Sequence, residues 1–398
     1  MAGIRCLLQP RRLVRGSAIE EYERAFARRI GVRHAFSFAH GRVGLYALLR
    51  SLGIGAGDAV VLQVPTHIVV PNAIRYTGAR PVYVDCALDT YNMDLGVLER
   101  SITPEAKAVV LQHTFGIPAD LDEATAIARR HGLELIEDCV HSLGSTYDGR
   151  ELGSFGRAAF FSTEETKTIS STMGGMVVTN DDALAERLRG FQARCSWPSA
   201  SLAARYPLKL ALYQLLTQPN LHRYARSLYE LFGRRNPLPQ ATTEEERRGD
   251  RPPAYEQRLA NAQAVLALRQ LRRLDENLSH RRWIADRYRS RLSSLGFHLP
   301  TPPDKADPAF VRYPVWVEDR DAAIARAAPH AVLGRWFTSV LEEADSPLDG
   351  DYEPGSCPNA EAASVHLVNL PTHLRVQTDD VDAIVAALAQ ARSGAPTR

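Results

Sequence analysis

Short apolar runs rich in Val and Ile alternate with stretches of helical spacing through the first half of the chain. They are Ala59-Val60-Val61-Leu62, Pro81-Val82-Tyr83-Val84-Asp85, Ala108-Val109-Val110-Leu111, Leu133-Glu134-Leu135-Ile136, Ala158 to Ser162 and Met176-Val177-Val178-Thr179. Runs of this length between helical patterns predict an α/β layer with a mainly parallel sheet. Asp120 is placed to cap a helix reaching about Arg130, and Gly132 follows as its stop. The next strand then carries Asp138 at its carboxyl end, the edge at which open α/β sheets bind ligands.

The rhythm breaks from Cys195 to about Pro253. Its first half, around Leu208 to Leu216, reads as helix, and Gly233 to Pro253 reads as a polar, proline-containing linker with a charge run from Glu244 to Arg248. This stretch is open to two readings: a helical elaboration packed on its own or a partner subunit, or a lid or membrane-surface contact. From Tyr255 the spacing of Leu259, Ala262 and Leu266 predicts a long helix leading into a smaller domain, so the chain divides into residues 1–254 and 255–398.

Composition narrows the function. Hydrophobic residues make up 45% and charged residues 24%, with a net charge of +2. There is no basic field of the kind nucleic-acid binding needs, so the expected partner is small. Pro10, Arg11 and Arg12 close the short apolar stretch at the amino end, and no later run reaches the roughly 18 apolar residues of a membrane span. Neither a signal peptide nor a span is expected. Cys6, Cys86, Cys139, Cys195 and Cys357 are odd in number and scattered, without C-x-x-C spacing, which argues against a disulfide framework or zinc site and for a reducing cytoplasm. Cys139 beside Asp138 reads as a small core residue, with a nucleophile as the alternative.

The chemistry centres on Lys167, at the end of Phe160-Phe161-Ser162-Thr163-Glu164-Glu165-Thr166-Lys167, about thirty residues after Glu137-Asp138. A lysine amine forms a Schiff base with an aldehyde cofactor, and a carboxylate on a pyridine nitrogen keeps that nitrogen protonated, so the ring becomes an electron sink. Taken singly, such a lysine is ordinarily a solvated charge and such an aspartate a cap. Together, and with the blocks from about Gly31 to Asp181, they resemble the DegT/DnrJ/EryC1/StrS aminotransferases, which use pyridoxal 5'-phosphate and are best known for aminating keto sugars. Cys357-Pro358-Asn359-Ala360-Glu361 and Asn369-Leu370-Pro371-Thr372-His373 are similar to the family's closing motif, which extends the resemblance over most of the chain.

The resemblance implies fold type I of the pyridoxal phosphate enzymes, an aspartate-aminotransferase-like architecture, and a set of site residues. Lys167 holds the cofactor and shuttles the proton, and Asp138 pairs with the pyridine nitrogen. Gly41 and Arg42 align with the turn that holds the phosphate, with Arg42 standing where a threonine is expected. Arg42 then either grips phosphate through its planar fork or is a solvated first-turn residue. His67 takes the place of the aromatic that stacks on the ring, the alternative being a satisfied core histidine. His141 matches a residue near the cofactor's phenolic oxygen, against a solvent-facing histidine at a helix entry. Ser162 matches a phosphate-binding serine, against an ordinary strand serine. Thr172-Met173-Gly174-Gly175 resembles the loop that turns the chain back into a strand. Glu256, in Tyr255-Glu256-Gln257-Arg258, replaces the family asparagine that reaches a partner subunit's phosphate. Together these changes suggest an ion pair between Arg42 and Glu256 across a homodimer interface.

The expected protein is therefore a transaminase, a homodimer with a shared active site. It takes an amino group from an amino acid, glutamate or glutamine, to a ketone such as a nucleotide-linked keto sugar or cyclitol. Arg42, His67 and Glu256 keep open another pyridoxal phosphate reaction, decarboxylation or elimination. A non-catalytic relative is the third reading, against which the retained Lys167 and Asp138 speak.

Overall fold

The computed structural model describes residues 10–216 and 241–393; Cys6, the apolar stretch before Pro10 and the linker residues 233–240 lie outside them. Seven strands form the central sheet: β1 (His34–Phe38), β2 (Ala59–Gln63), β3 (Arg80–Val84), β4 (Ala106–Gln112), β5 (Glu134–Asp138), β6 (Ala158–Ser162) and β7 (Gly175–Thr179). Their spatial order is β1-β7-β6-β5-β4-β2-β3, and β7 alone runs against its neighbours. The expected parallel sheet is thus present, with one reversed strand. The near-continuous apolar runs are explained by burial on both faces. Val61, Val109, Leu135 and Phe161 belong to one core with Phe26 of α1 (Ala18–Ile30), while Val60, Val110, Ile136 and Phe160 belong to a second with Leu45 and Leu48 of α2 (Gly41–Leu52).

The helix placed after Asp120 is found as Leu121–Arg130, with the Asp120 side chain accepting from Glu123 N–H. The helix expected from Tyr255 is not as drawn. Residues 255–260 are irregular, and the chain forms α4 (Asn261–Leu271), then α5 (Leu274–Ser293), after α3 (Ala200–Leu216) in the insertion. The register explains the late start: Gln257 O accepts from Ala39 N–H, and Arg258 N–H donates to Ser196 O, so these backbone groups are spent on neighbouring segments. α4 buries Ala264 and Ala267 with α1, whereas a separate core is built from Ile284 and Tyr288 of α5, the antiparallel partners β8 (Tyr313–Trp316) and β9 (Leu367–Leu370), and Ile384 of the last helix, Thr378–Ser393.

α3 packs on this chain, through Ala203 against Leu13, Ala260 and Ala262. It also braces the lysine loop: Thr172 Oγ1 donates to Tyr206 O at 2.9 Å, and Lys209 pairs with Glu165 at 2.8 Å. Among the described residues no helix is long and apolar enough to cross a membrane.

The charge run read as linker is in part a docked element. Thr243 caps a single turn, Glu244–Arg247, whose Glu246 is 1% exposed and pairs with Arg42 at 2.5 Å. Asn72 Nδ2 adds a bond to Glu246 O at 2.7 Å. Five consecutive charged residues in a polar context give no sign that the third is core; only the position of Arg42 makes it so. Removing one member of such a buried pair strands the other charge and costs roughly 3–5 kcal/mol. Arg42→Met and Glu246→Gln are therefore each expected to destabilise by that order, and the double variant by clearly less than their sum. Additive losses in a denaturation double-mutant cycle would mean that the pair does not couple.

Candidate active site

The carboxyl ends of β5 and β6 bring the candidate residues together. Asp138 lies opposite Phe160 in the register, two residues before Ser162. Ser162 in turn lies against Gly41 at the first turn of α2: a β-carbon added to Gly41 would sit 3.4 Å from Ser162 Cβ and 3.1 Å from Phe161 O. Gly175 is tighter still, since a β-carbon there would fall 2.4 Å from the His40 carbonyl. Glycine at these points lets β7 and the helix start meet closely, leaving a helix N-terminus beside a serine hydroxyl, an arrangement that suits an anion.

Asp138 is buried. Its Oδ1 accepts from Val140 N–H at 3.1 Å, but Oδ2 has no partner. Burial raises its pKa to about 7, opposed by the Val140 N–H and by the charge of Lys167. A carboxylate with one unmatched oxygen in a dry site fits a cationic N–H donor, which is what a protonated pyridine offers. Lys167, by the same physics, has its pKa lowered to about 8: burial is the largest cause, Arg312 adds to it, and Glu164, Asp138 and Glu343 oppose. Its Nζ lies 4.2 Å over the centre of the Trp336 ring. An amine poised this close to neutral pH can act as nucleophile and proton carrier.

His141 is buried, so it does not face solvent. It stacks between Phe115 at 6.2 Å and Trp336 at 4.7 Å, and its Nδ1 accepts from Phe115 N–H at 3.4 Å. Burial, then Lys167 and Arg312, hold its pKa well below the ordinary range, so the ring is neutral with its proton on Nε2. His67 is half-exposed rather than core. It ends a two-residue strand beside Leu341–Glu342, and its Nε2 stands 3.6 Å from Glu343. Burial would raise the Glu343 carboxyl, yet His67, Thr242 and Arg247 override it and hold it at about 2.

Arg42 is not solvated. Its guanidinium engages Glu246 and donates to Ala241 O at 2.7 Å, while Glu256 pairs with Arg251. Each charge has a partner within its own chain. Trp336, Arg312 and Glu343 come from the segments around β8 and β9. The sequence offered no signal for them, since no motif or periodicity surrounds Gly334-Arg335-Trp336-Phe337.

One more buried cluster adjoins the site. His113, Glu137 and Cys139 have ligand atoms within 4.8 Å of one another. His113 Nδ1 accepts from Ala119 N–H at 3.1 Å, which puts its proton on Nε2, 3.4 Å from Glu137. That nitrogen has no lone pair left to offer, so the cluster reads as a hydrogen-bonded prop and not as a metal centre.

Comparison with known proteins agrees with this geometry. The DegT/DnrJ/EryC1/StrS aminotransferase family model matches residues 1–207 and 213–389. A GDP-perosamine synthase of Caulobacter vibrioides is 31% identical over 94% of this chain and 90% of its own, and the spore coat polysaccharide biosynthesis protein SpsC of Bacillus subtilis is 28% identical over 96% and 92%. Among solved structures, DesV of S. venezuelae superposes with a TM-score of 0.74 at 28% identity over 95% of this chain and 90% of its own. A buried acid short of one hydrogen-bond donor, a lysine of depressed pKa and a glycine-lined helix start, matched over nearly the whole length, have one explanation: the chain belongs to the DegT/DnrJ/EryC1/StrS aminotransferase family.

Proposed function

We propose that this protein is a pyridoxal phosphate-dependent aminotransferase that moves an amino group from an amino acid, glutamate or glutamine, to the ketone of a sugar in a biosynthetic pathway. The observation that carries the reading is the unmatched Oδ2 of buried Asp138 in the same electrostatic site as Lys167. The relatives named for GDP-perosamine and for spore coat polysaccharide support a sugar as acceptor. The reading includes a homodimer, supported by the family resemblance of the 255–258 segment, and the cytoplasm, supported by four buried free thiols.

Gly41, the Ser162 hydroxyl and the first N–H groups of α2 would hold the phosphate, and Asp138 would hold the pyridine nitrogen. His141 Nε2 would donate to the phenolic oxygen, and His67 would cover the ring. When bound, pyridoxal phosphate supplies the aldehyde and a ring that stabilises negative charge on the carbon losing its proton. Lys167 Nζ would attach the cofactor at rest and, as a free neutral amine, would take up the proton of the donor carbon and hand it back from the same side. Its pKa near 8 leaves a usable fraction neutral. Arg42, held by Glu246, fixes the first turn of α2 and is a positioning residue in this scheme. Tyr255 Oη assists by donating to Arg42 O at 3.1 Å.

Lys167→Ala is expected to abolish turnover and the visible absorbance of lysine-bound cofactor; wild-type activity in that variant would sink the assignment. Asp138→Asn is expected to retain cofactor but slow turnover more than about tenfold, a barrier change above roughly 1.4 kcal/mol. A smaller change would remove Asp138 from the pyridine nitrogen. Cofactor uptake by the cofactor-free protein should accelerate as pH rises between about 6 and 9, because Asp138 gains its charge through about 7 and Lys167 loses its charge through about 8. In Asp138→Asn the lower step should vanish, which stopped-flow absorbance would resolve. A wild-type rate that falls over this range contradicts both protonation assignments.

A further inference from the structure

The lysine loop holds one backbone conformation that its sequence does not favour. Thr172 lies in the left-handed region with φ near 76°, although it is β-branched and glycine stands close by at Gly174 and Gly175. Glycine enters that region freely, whereas a β-branched residue stays there only when its surroundings hold it. An outlier of this kind next to a reacting group points to a task for its side chain. Thr172 is buried, and its hydroxyl donates to Tyr206 O of α3 at 2.9 Å.

A second tie lies on the other side of Lys167. Lys209 pairs with Glu165 at 2.8 Å, and it follows Tyr206 by three residues on the same face of α3. One helix face therefore grips the loop both before and after Lys167. The far side of the loop is fixed separately, with Ser170 N–H donating to Gln270 Oε1 on α4 at 2.9 Å and Asn277 Nδ2 on α5 donating to Thr168 O at 2.8 Å. At the neck, Thr163 N–H donates to Gly174 O at 2.9 Å, and the Thr163 and Ser171 hydroxyls share a hydrogen bond of 2.6 Å. Lys167 is tied inside the loop, by its N–H to Glu164 O at 3.1 Å, so its place over the sheet follows from how the flanks are held.

Resting on the aminotransferase reading, we infer that Thr172 and Glu165 are positioning residues through which α3 sets the reach of Lys167 toward the cofactor aldehyde. The lysine amine ends a flexible four-carbon stem, so its accuracy depends on a fixed backbone beneath it. A displacement of about 1 Å at such a group costs on the order of a hundredfold in rate. The threonine accepts a strained backbone because its hydroxyl closes the latch to Tyr206 O. Glycine at 172 would relax the backbone and open the latch, which separates the two effects.

The test compares wild type with Thr172→Val, Thr172→Gly, Thr172→Ser and Glu165→Gln in the full-length chain. Hydrogen exchange read by mass spectrometry follows residues 163–174 and α3 without cofactor, denaturant titration gives global stability, and stopped-flow absorbance gives the rate at which added pyridoxal phosphate is captured by Lys167. Thr172→Val and Thr172→Gly are expected to exchange about tenfold faster in both segments, as loss of one buried hydrogen bond implies, and to capture cofactor about fivefold more slowly. Thr172→Ser should recover most of both losses, and Glu165→Gln should slow capture in the same direction. Thr172→Gly is the deciding variant: it should be at least as stable as Thr172→Val and still capture slowly. Capture at the wild-type rate in Thr172→Gly, Thr172→Ser behaving as Thr172→Val, or unchanged exchange in α3 would each overturn the inference. If wild type captures no cofactor, the aminotransferase reading fails, and the exchange data still decide whether α3 holds the loop through Thr172.

Discussion

Two adjacent carboxylates at the end of β5 set the terms for the rest of the site. Because successive strand residues face opposite sides of a sheet, Glu137 and Asp138 enter different environments one residue apart. Glu137 accepts from Gly153, Phe155 and Gly156 N–H groups at 2.7–2.8 Å and faces the Nε2 proton of His113. Burial works to raise its pKa, but these donors prevail and hold it below the ordinary value. It ties the turn that leads into β6 and so delivers Ser162. Asp138 receives one backbone donor and keeps an open oxygen. The same residue chemistry gives a structural tie on one face and a receptor on the other, and the number of donors supplied makes the difference.

Around that edge, charge is managed by partners that arrive from far along the chain. Arg42 stands at a helix start, where a cation meets the unfavourable end of the helix dipole. Glu246 neutralises it and thereby docks the 241–250 segment on the wall of the site. α3 reaches the loop on the other side, with Lys209 paired to Glu165 two residues before Lys167. The insertion therefore acts as a brace for both the first turn of α2 and the lysine loop.

The smaller core supplies what the sheet lacks. Trp336 covers His141 and carries both Lys167 and Arg312 on its ring, while Glu343 faces His67. Glu343 holds a left-handed backbone with φ near 63°, a conformation costing on the order of 1 kcal/mol or more that surrounding contacts must sustain. These residues close a cleft in which an amine can be neutral and an acid open.

By itself the sequence determined the strands of a mainly parallel α/β layer, the placement of Asp138 at a strand end, the cap at Asp120 and the pairing of Lys167 with Asp138. Each of these rests on local signals: apolar run length, a side-chain oxygen next to backbone N–H groups, and a motif of a few residues. Tertiary structure decided the remainder. The reversal of β7 depends on which edge the returning chain meets, and the late start of α4 on bonds from Tyr255–Arg258 to segments around 39 and 196. Glu246 became core because Arg42 lies over it, and Arg312 entered the site because Asn369 holds the Trp336 loop beneath it. Partners separated by about thirty to two hundred residues leave no periodicity behind, since an ion pair or a ring stack needs only proximity in the folded chain.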